Sequence, residues 1–129
     1  GVETMVPLML NAAAQGRLTL PRVVELLSAA PARIFGLYPR KGALQVGSDG
    51  DLTVVDLSAT VTVDEKAMKT RAQTSLFHGW QLKGKPVATV VRGRVVAREG
   101  QLMGPPIGVF MRPIQHGRGS TRGVESGGF

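Results

Sequence analysis

The stretch SAAPARIFGLYPRKGALQVGSDGDLTVVDL, residues 28–57, carries the signals that decide how this chain folds. Pro31 lacks an amide hydrogen and its ring crowds the carbonyl four residues back, so we expect one helix to end and a short new one to begin there. Gly36 can adopt the left-handed conformation that closes a helix, with Leu37 folding back on the last turn. The pattern therefore predicts a short helix that ends at Gly36.

Two turns and a strand are expected after this helix. Residues 38–42 (YPRKG) predict an exposed turn and residues 47–50 (GSDG) a second one, because Pro, Gly, Ser and Asp favour turn conformations. Residues 52–55 (LTVV) are β-branched and apolar on both faces, which indicates a covered strand. The stretch therefore predicts a helix, two turns and a strand in this order.

Two further helices are expected upstream. Apolar residues between positions 4 and 15 go most of the way round a helical wheel, so this helix should be buried on more than one side. Pro7 fits only the first turn, which makes Thr4 the expected N-cap. Thr19 is a second candidate cap, followed by an apolar stripe that ends near Ser28. We expect these helices to need a packing partner that they cannot supply themselves.

The residues after position 57 predict strands interrupted by one loop. Residues 60–63 alternate like a short strand, and one exposed helical turn capped by Asp64 should follow. Residues 70–82 have no clear period and predict a long loop, which Phe77 and Trp80 could hold in place. The loop should lead into the last strands.

The clearest hairpin joins residues 86–91 to residues 94–98. Arg92-Gly93 lies between these two valine-rich runs, and glycine supplies the positive φ of a tight turn. A further turn at residues 99–100 precedes residues 101–103. The hairpin is thus expected to continue into a third short strand.

Composition limits the class of protein. A length of 129 residues suits one domain, and the absence of cysteine excludes disulfides, thiolate metal sites and a cysteine nucleophile. No apolar run approaches the roughly 20 residues that cross a bilayer, and no signal peptide is evident. We expect a soluble, cytoplasmic protein, and a first residue Gly1 agrees with a piece of something longer. Residues 115–129, rich in Gly, Ser and Arg, predict a disordered tail.

The formal net charge of +7 raises the question of a nucleic-acid partner. Residues 1–57 hold five basic and five acidic groups, so the excess lies in the second half. Its basic residues are spread along the predicted elements, with only Phe77 and Trp80 available for stacking on bases. This favours a solvated basic face. A small basic module that binds RNA or an acidic protein stays open as the alternative.

Several phrases resemble the cyclic amidohydrolases, the family of hydantoinase, dihydropyrimidinase, dihydroorotase and allantoinase. They are PARIFGLYPRKG at residues 31–42 and GSDGDL at residues 47–52, where Gly50 replaces the alanine that the family commonly has. GVET at residues 1–4 and the series HGW, KGKP and VRGRVV between positions 78 and 96 extend the resemblance. It covers most of residues 1–113.

The resemblance implies a composite fold. Residues 1–37 would be the last helices of a (β/α)8 barrel, residues 38–113 the C-terminal part of a small β-sandwich, and residues 114–129 a disordered tail. The chain would then be an α+β fragment of a longer enzyme. Its partners would be the remaining N-terminal part of that enzyme, a small cyclic amide substrate and, in the intact state, further copies in a homo-oligomer.

The resemblance also implies a chemistry that these residues do not carry alone. The family hydrolyses a ring amide or imide bond with zinc or another divalent metal, held by an HxH pair, a modified lysine, two more histidines and an aspartate. None of these ligands can be matched here, so we assign no catalytic and no metal residue and expect the segment alone to be inactive. By this resemblance Gly1 and Val2 would lie at the end of a family loop that donates backbone groups to the substrate, so they are the expected substrate-binding residues. Glu3 lies near the positive end of the first helix dipole.

The remaining polar residues have simpler interpretations. His78 in a loop and His116 in the tail are expected to be structural or exposed. Asp49, Asp51 and Asp56 lack the calcium-loop pattern and its closing glutamate, so they predict turn and strand-entry aspartates.

Basic and hydroxyl residues near the turns are interpreted in the same way. No glycine-rich loop enters a helix at Arg40 and Lys41, which favours a surface turn over a phosphate site. Ser28 and Ser48 lack a nucleophile-elbow context. Residues 92–94 are expected to be a hairpin tip.

Overall fold

The structure, a computed structural model, describes residues 1–113, which form a helical segment followed by a four-stranded antiparallel sheet. The predicted α+β class is confirmed for this part of the chain, and the predicted tail lies outside it. The elements are α1 Val2–Ala14, α2 Leu20–Val24, a π-helical turn Glu25–Ala29, α3 Ala30–Ile34, β1 Leu52–Thr62, a 3₁₀ turn Glu65–Ala67, β2 Gln81–Val91, β3 Arg94–Arg98 and β4 Gln101–Leu102.

Helix α1 begins earlier than its proline suggested. Its N-cap is Gly1, and the first helical bond joins the Met5 amide to the Gly1 carbonyl at 3.1 Å. The predicted cap at Thr4 is wrong, because that hydroxyl donates to the Gly1 carbonyl at 3.2 Å and caps no amide. Pro7 lies inside the helix. Pro7 has no amide hydrogen to donate to the carbonyl one turn before it, yet the helix continues to Ala14.

The second helical segment runs without a break from Leu20 to Ile34. The predicted cap is confirmed, since the Thr19 hydroxyl accepts a hydrogen bond from the Arg22 amide. The predicted end near Ser28 is wrong. In the π-helical turn the backbone hydrogen bonds span five residues, as in the bond from the Ala30 amide to the Glu25 carbonyl. The chain then enters α3 with Pro31 in its first turn.

Helix α3 is closed at Gly36, as the sequence predicts. Gly36 has φ +66°, and the Leu37 amide donates to the Ala32 carbonyl at 2.7 Å. The Gly36 amide also bonds to the Arg33 carbonyl, which completes a Schellman motif. The chain then turns through residues 38–42 toward the sheet.

The sheet has the strand order β1-β2-β3-β4, with every neighbouring pair antiparallel. The two short strands predicted over residues 52–55 and 60–63 form one long strand, β1, with an irregularity between Asp56 and Thr60. The expectation of a covered strand is wrong for this structure, since Leu52 and Val54 are 38% and 48% exposed. No element among the described residues packs over them.

The predicted hairpin and its neighbours are confirmed. Arg92 and Gly93 both have positive φ, +48° and +76°, as a two-residue type I′ turn requires. A second turn at residues 99–100 leads into β4, and the Asp64 side chain caps the 3₁₀ turn by accepting from the Lys66 amide. Strand β2 begins at Gln81, so the loop before it is slightly shorter than predicted.

A tight contact joins α1 to β2. Leu10 and Leu82 are 4% and 1% exposed. A Cβ atom added to Gly84 would lie 2.8 Å from the Leu10 Cβ, and Gly84 has φ +93°, so only glycine fits without strain. The Asn11 side chain also accepts a hydrogen bond from the Lys83 amide at 3.0 Å. We call Leu10, Leu82 and Gly84 the closed contact.

Most large apolar side chains do not take part in such a contact. Within residues 1–113 only five hydrophobic residues are buried, whereas eighteen large ones are exposed. The most exposed near the end of α3 and in the following turn are Ile34, Phe35, Leu44 and Val46, at 79%, 67%, 81% and 104%. We call these four the exposed apolar set. The described residues therefore do not enclose a core of their own.

None of the helices in residues 1–113 has the length and apolar character needed to cross a membrane.

Candidate functional site

The two sequence-predicted substrate-binding residues lie at the start of α1. Gly1 is the N-cap, and its carbonyl accepts from both the Met5 amide and the buried Thr4 hydroxyl. Val2 is 86% exposed. The helix thus fixes the position of both residues and leaves their outer surfaces open.

These residues line one side of a cleft of about 340 Å³. The opposite wall comes from the loop over residues 68–77, which the sequence left without regular structure. This wall includes Thr70, Thr74, Ser75 and Phe77. We call this space the N-terminal cleft. Gly1 and Val2 thus lie side by side at the edge of this cleft.

A single carboxylate holds the loop against α1. The Lys69 amide donates to both carboxylate oxygens of Glu3 at 3.1 Å, and the Thr70 amide donates to Oε1 at 2.9 Å. Hydrogen bonds from amides to an ionised carboxylate are stronger than bonds between neutral groups. We call this arrangement the loop clasp.

A second carboxylate holds the far side of the same loop. The Ser75 amide donates to Glu65 Oε2 at 3.2 Å, and His78 Nδ1 accepts from the Glu65 amide at 3.2 Å. Phe77 and Trp80 pack edge to face with ring centroids 5.3 Å apart, which agrees with the predicted role of these two rings in holding the loop. His78 thus has a structural partner, as the sequence predicted.

Sequence reasoning missed both carboxylates as loop anchors. Glu3 and its two partner amides are 66 and 67 residues apart, and no local pattern reports such a contact. The one indication in the sequence was the length of the loop over residues 70–82, which has no clear period. Long loops without regular structure usually need anchors and are often functional.

A second charged cluster lies between α3 and the sheet. Arg40 Nε lies 3.3 Å from both oxygens of Asp49, and Lys41 Nζ lies 2.9 Å from Asp49 Oδ2. Lys41 Nζ also bonds to Asp51 Oδ2. The second oxygen of Asp51 accepts from the Arg92 amide at 2.8 Å. We call Arg40, Lys41, Asp49 and Asp51 the polar junction.

The polar junction shifts the titration of its members. The hydrogen bond from Lys41 holds the pKa of Asp49 below its ordinary value. Partial burial raises the pKa of Asp51, but the bonds from Lys41 and from the Arg92 amide outweigh it and the pKa lies below the ordinary value. Burial alone would lower the pKa of Lys41, but its hydrogen bonds to the two aspartates raise the pKa by a larger amount. The pKa of Lys41 therefore lies above its ordinary value.

The polar junction therefore has a structural role. The sequence predicted an exposed turn over residues 38–42, and the turn is there, but Lys41 is only 22% exposed because both aspartates enclose it. Gly50, which replaces the alanine common in the family, lies against the hairpin tip, where the Gly93 amide donates to its carbonyl at 2.8 Å. The ammonium, two carboxylates and this bond tie the turn after α3 to the β2–β3 tip.

The described residues do not fit a metal ion. No group of three or more His, Cys, Asp or Glu side chains within residues 1–113 could hold one. The carboxylates of Asp49 and Asp51 already surround the Lys41 ammonium. Asp56 Oδ1 accepts from the amides of Ser58 and Ala59. No step of a reaction is therefore derived through a metal held by these residues.

The other singled-out side chains also have structural partners. The Ser48 hydroxyl donates to the Pro39 carbonyl at 2.7 Å, and the Arg92 guanidinium donates to the Ile107 carbonyl. Ser28 is exposed on the π-helical turn. His116 lies outside the described residues.

No observation favours the nucleic-acid alternative. Four basic side chains are paired with carboxylates, namely Arg33, Arg40, Lys41 and Lys85. Phe77 and Trp80, the two rings considered for base stacking, pack against each other.

Fold and sequence together define the class of protein. Residues 2–96 match the amidohydrolase family, so this chain belongs to that family and the resemblance to cyclic amidohydrolases is confirmed. It is 46% identical to an L-hydantoinase of Paenarthrobacter aurescens over 104 residues, which are 80% of this chain and 23% of the relative. It is 39% identical to a dihydroorotase of Pyrococcus furiosus over 108 residues, 84% of this chain and 26% of the relative.

The solved structures agree. The structure titled L-hydantoinase (dihydropyrimidinase) from Arthrobacter aurescens matches with a TM-score of 0.73 and 45% identity, over 75% of this chain and 22% of that one. This chain thus spans about a quarter of the length of the curated relatives that it matches.

Proposed function

We propose that this chain is the C-terminal, scaffolding portion of a metal-dependent cyclic amidohydrolase, an enzyme that hydrolyses a ring amide or imide bond of the hydantoin, dihydropyrimidine, dihydroorotate or allantoin type. The observation that carries the proposal is the match to hydantoinases and dihydroorotases over most of this chain but only about a quarter of theirs. A zinc or other divalent ion would be held by residues outside this segment.

In this proposal the segment has two structural roles. Residues 1–37 complete the wall of a barrel and residues 38–113 complete a small sandwich, with residues 114–129 as a tail. The exposed apolar set supports such a role, since large apolar side chains at 67% to 104% exposure normally mark an interaction surface. The rest of the same enzyme is the proposed cover, and further copies of the enzyme are proposed as oligomer partners.

The segment also contributes to the substrate pocket in this proposal. Gly1 and Val2 lie at the rim of the N-terminal cleft with their positions fixed by α1. Backbone groups at this rim would bind the substrate ring, while bond cleavage would depend on residues elsewhere in the enzyme.

Activity assays on two polypeptides test the proposal. Residues 1–129 and the full polypeptide that carries them would be assayed with zinc on hydantoin, dihydrouracil, dihydroorotate and allantoin. We expect hydrolysis of at least one ring by the full polypeptide and none by the segment. Hydrolysis by the segment alone, or none by the full polypeptide, would contradict the proposal.

A further inference from the structure

The segment after β4 runs from the sheet back to the end of the helices. Residues 104–113 read GPPIGVFMRP and form neither helix nor strand. Proline restricts the backbone to a narrow range of φ, so a run rich in proline loses less conformational entropy when it is held in one place. We call residues 104–113 the proline strap.

Arg92 holds the middle of the strap. It stands at the turn between β2 and β3, and its guanidinium donates to the Ile107 carbonyl. Hydrogen bonds from a charged donor are stronger than bonds between neutral groups. The Ile107 residue is half-buried, whereas Gly108 and Val109 after it are exposed. The strap therefore lies against the hairpin tip at Ile107.

Gly36 contacts the far end of the strap. A Cβ atom added to Gly36 would lie 3.3 Å from the Pro113 Cβ, which is closer than an ordinary van der Waals contact. Gly36 is also the residue that closes α3, with φ +66°. The strap thus joins the hairpin tip to the end of α3.

The polar junction already links these two regions by a separate set of bonds. The Arg92 amide donates to Asp51 at 2.8 Å, and the Gly93 amide donates to the Gly50 carbonyl at 2.8 Å. Arg92 therefore takes part in both links, through its amide in the polar junction and through its guanidinium at the strap. The two links share this one residue and span the same pair of regions.

We infer that the proline strap is a second link across the polar junction, and that the Arg92 guanidinium holds it in place. The turn after α3 and the hairpin tip then separate only when the strap has been released. Gly36 belongs to the segment proposed for the barrel wall and Arg92 to the segment proposed for the sandwich. The strap therefore fixes one of these segments against the other.

Amide hydrogen exchange of the full polypeptide tests this inference. Arg92→Met removes the guanidinium and keeps the backbone amide, so exchange at positions 92 and 93 should become about tenfold faster, as loss of one charge-assisted bond predicts. The Lys83 amide, which Asn11 holds at the closed contact, should keep its rate. The matched control Arg94→Met changes an exposed arginine of the same hairpin and should leave all three amides within about twofold.

Cleavage by chymotrypsin measures the release of the strap itself. The enzyme cuts after Phe110, whose side chain is 84% exposed, once the backbone around it is free to enter the protease. Gly36→Ala places a methyl group against Pro113, so cleavage should become about fivefold faster or more, and Arg92→Met should have the same effect. Gly16 has a similar φ of +71° and open space around an added Cβ, so Gly16→Ala carries the backbone strain alone and should leave the rate unchanged.

Each measurement has a result that would overturn the inference. Unchanged exchange at positions 92 and 93 in Arg92→Met would show that the strap adds nothing to the polar junction. An equal rise at Lys83 would show a general loss of stability instead of a local link. Equal cleavage rates in Gly36→Ala and Gly16→Ala would show that Pro113 is not held at α3. All three readouts are independent of catalysis, so such results would leave the proposed function standing, and a full polypeptide without hydrolase activity would leave the strap standing.

Discussion

The closed contact between α1 and β2 differs sharply from the exposed apolar set, although both consist of similar residues. Leu82 is 1% exposed and Leu10 is 4% exposed, whereas Leu44 is 81% exposed. The difference is topological. Strand β2 lies inside the sheet and beneath α1, whereas the side chains of the exposed apolar set near the end of α3 remain open to solvent. Apolar composition alone therefore does not decide which residues form a core.

The largest effect is expected from emptying the closed contact. Leu82→Ala removes a fully buried side chain and leaves a cavity, so it should lower the free energy of unfolding of the full polypeptide by about 3–4 kcal/mol. The matched control Leu102→Ala changes a leucine that is 73% exposed and should cost under about 0.5 kcal/mol. Chemical denaturation measures both. Equal losses would show that the contact is not closed.

Crowding the same contact should cost slightly less. Gly84→Ala places a methyl group 2.8 Å from the Leu10 Cβ at φ +93°, for which we expect a loss of about 2–3 kcal/mol from clash and strain. Gly79 has φ +80° and no atom within 4 Å of its added Cβ, so Gly79→Ala carries the strain alone, about 1 kcal/mol. A loss no larger than that of Gly79→Ala would rule out crowding. Denaturation midpoints of the two variants give the comparison.

The polar junction provides an intermediate case. Lys41→Met keeps the length of the side chain and removes its bonds to Asp49 and Asp51, so we expect a loss of about 1–2 kcal/mol at pH 7. Lys66→Met, at an exposed lysine on the 3₁₀ turn, should stay within about 0.5 kcal/mol. Thermal unfolding of both variants measures the difference. A neutral Lys41→Met would show that the junction adds no stability.

The junction should also produce a dependence on pH. The pKa values of Asp49 and Asp51 are lowered in the folded state, so the unfolded state binds more protons as pH falls from about 4, and stability falls with it. The stabilising contribution of Lys41, whose pKa is raised, is lost at the alkaline end of the pH range. Its contribution is present below about pH 10.4 and is lost as pH rises through the folded-state value.

Unfolding midpoints between pH 2 and 11 measure this dependence. Lys41→Met removes the main cause of the lowered pKa of Asp49, so its midpoint should fall less steeply in acid than that of the unchanged protein. Parallel curves for the two proteins would contradict the assignment.

The smallest effect is expected on the exposed apolar set of the isolated segment. Leu44→Ser should change the stability of residues 1–129 by less than about 0.5 kcal/mol, because the side chain is already in contact with water. In the full polypeptide the same substitution should cost about 2 kcal/mol if the proposed cover packs on Leu44. Equal and small effects in both would show that this surface stays open.

Local signals in the sequence predicted much of this fold. The Schellman motif at Gly36, the cap at Thr19 and the hairpin at Arg92-Gly93 each depend on the conformation of a few adjacent residues, and all three are confirmed. Pro7 misled the prediction, because α1 begins at Val2 and continues through it, whereas the new short helix predicted near Pro31 is present as α3, continuous with the π-helical turn.

The parts that could not be predicted depend on contacts between distant residues. The cover expected over β1 is not supplied by residues 1–113, so Leu52 and Val54 are half exposed. The N-terminal cleft was predicted only through Gly1 and Val2, since its other wall is brought there by Glu3. Pairings over more than sixty positions have no signature in composition or periodicity.

The separation between Leu10 and Gly84 along the chain also sets the order in which the molecule can assemble. The β2–β3 hairpin closes over two residues and needs no other element, so it should form early. Helix α1 is synthesised before the strand that receives it, which follows more than seventy residues later. During that interval Leu10 lacks the strand that buries it in the folded structure, so we expect chains that end before β2 to aggregate more readily than complete ones.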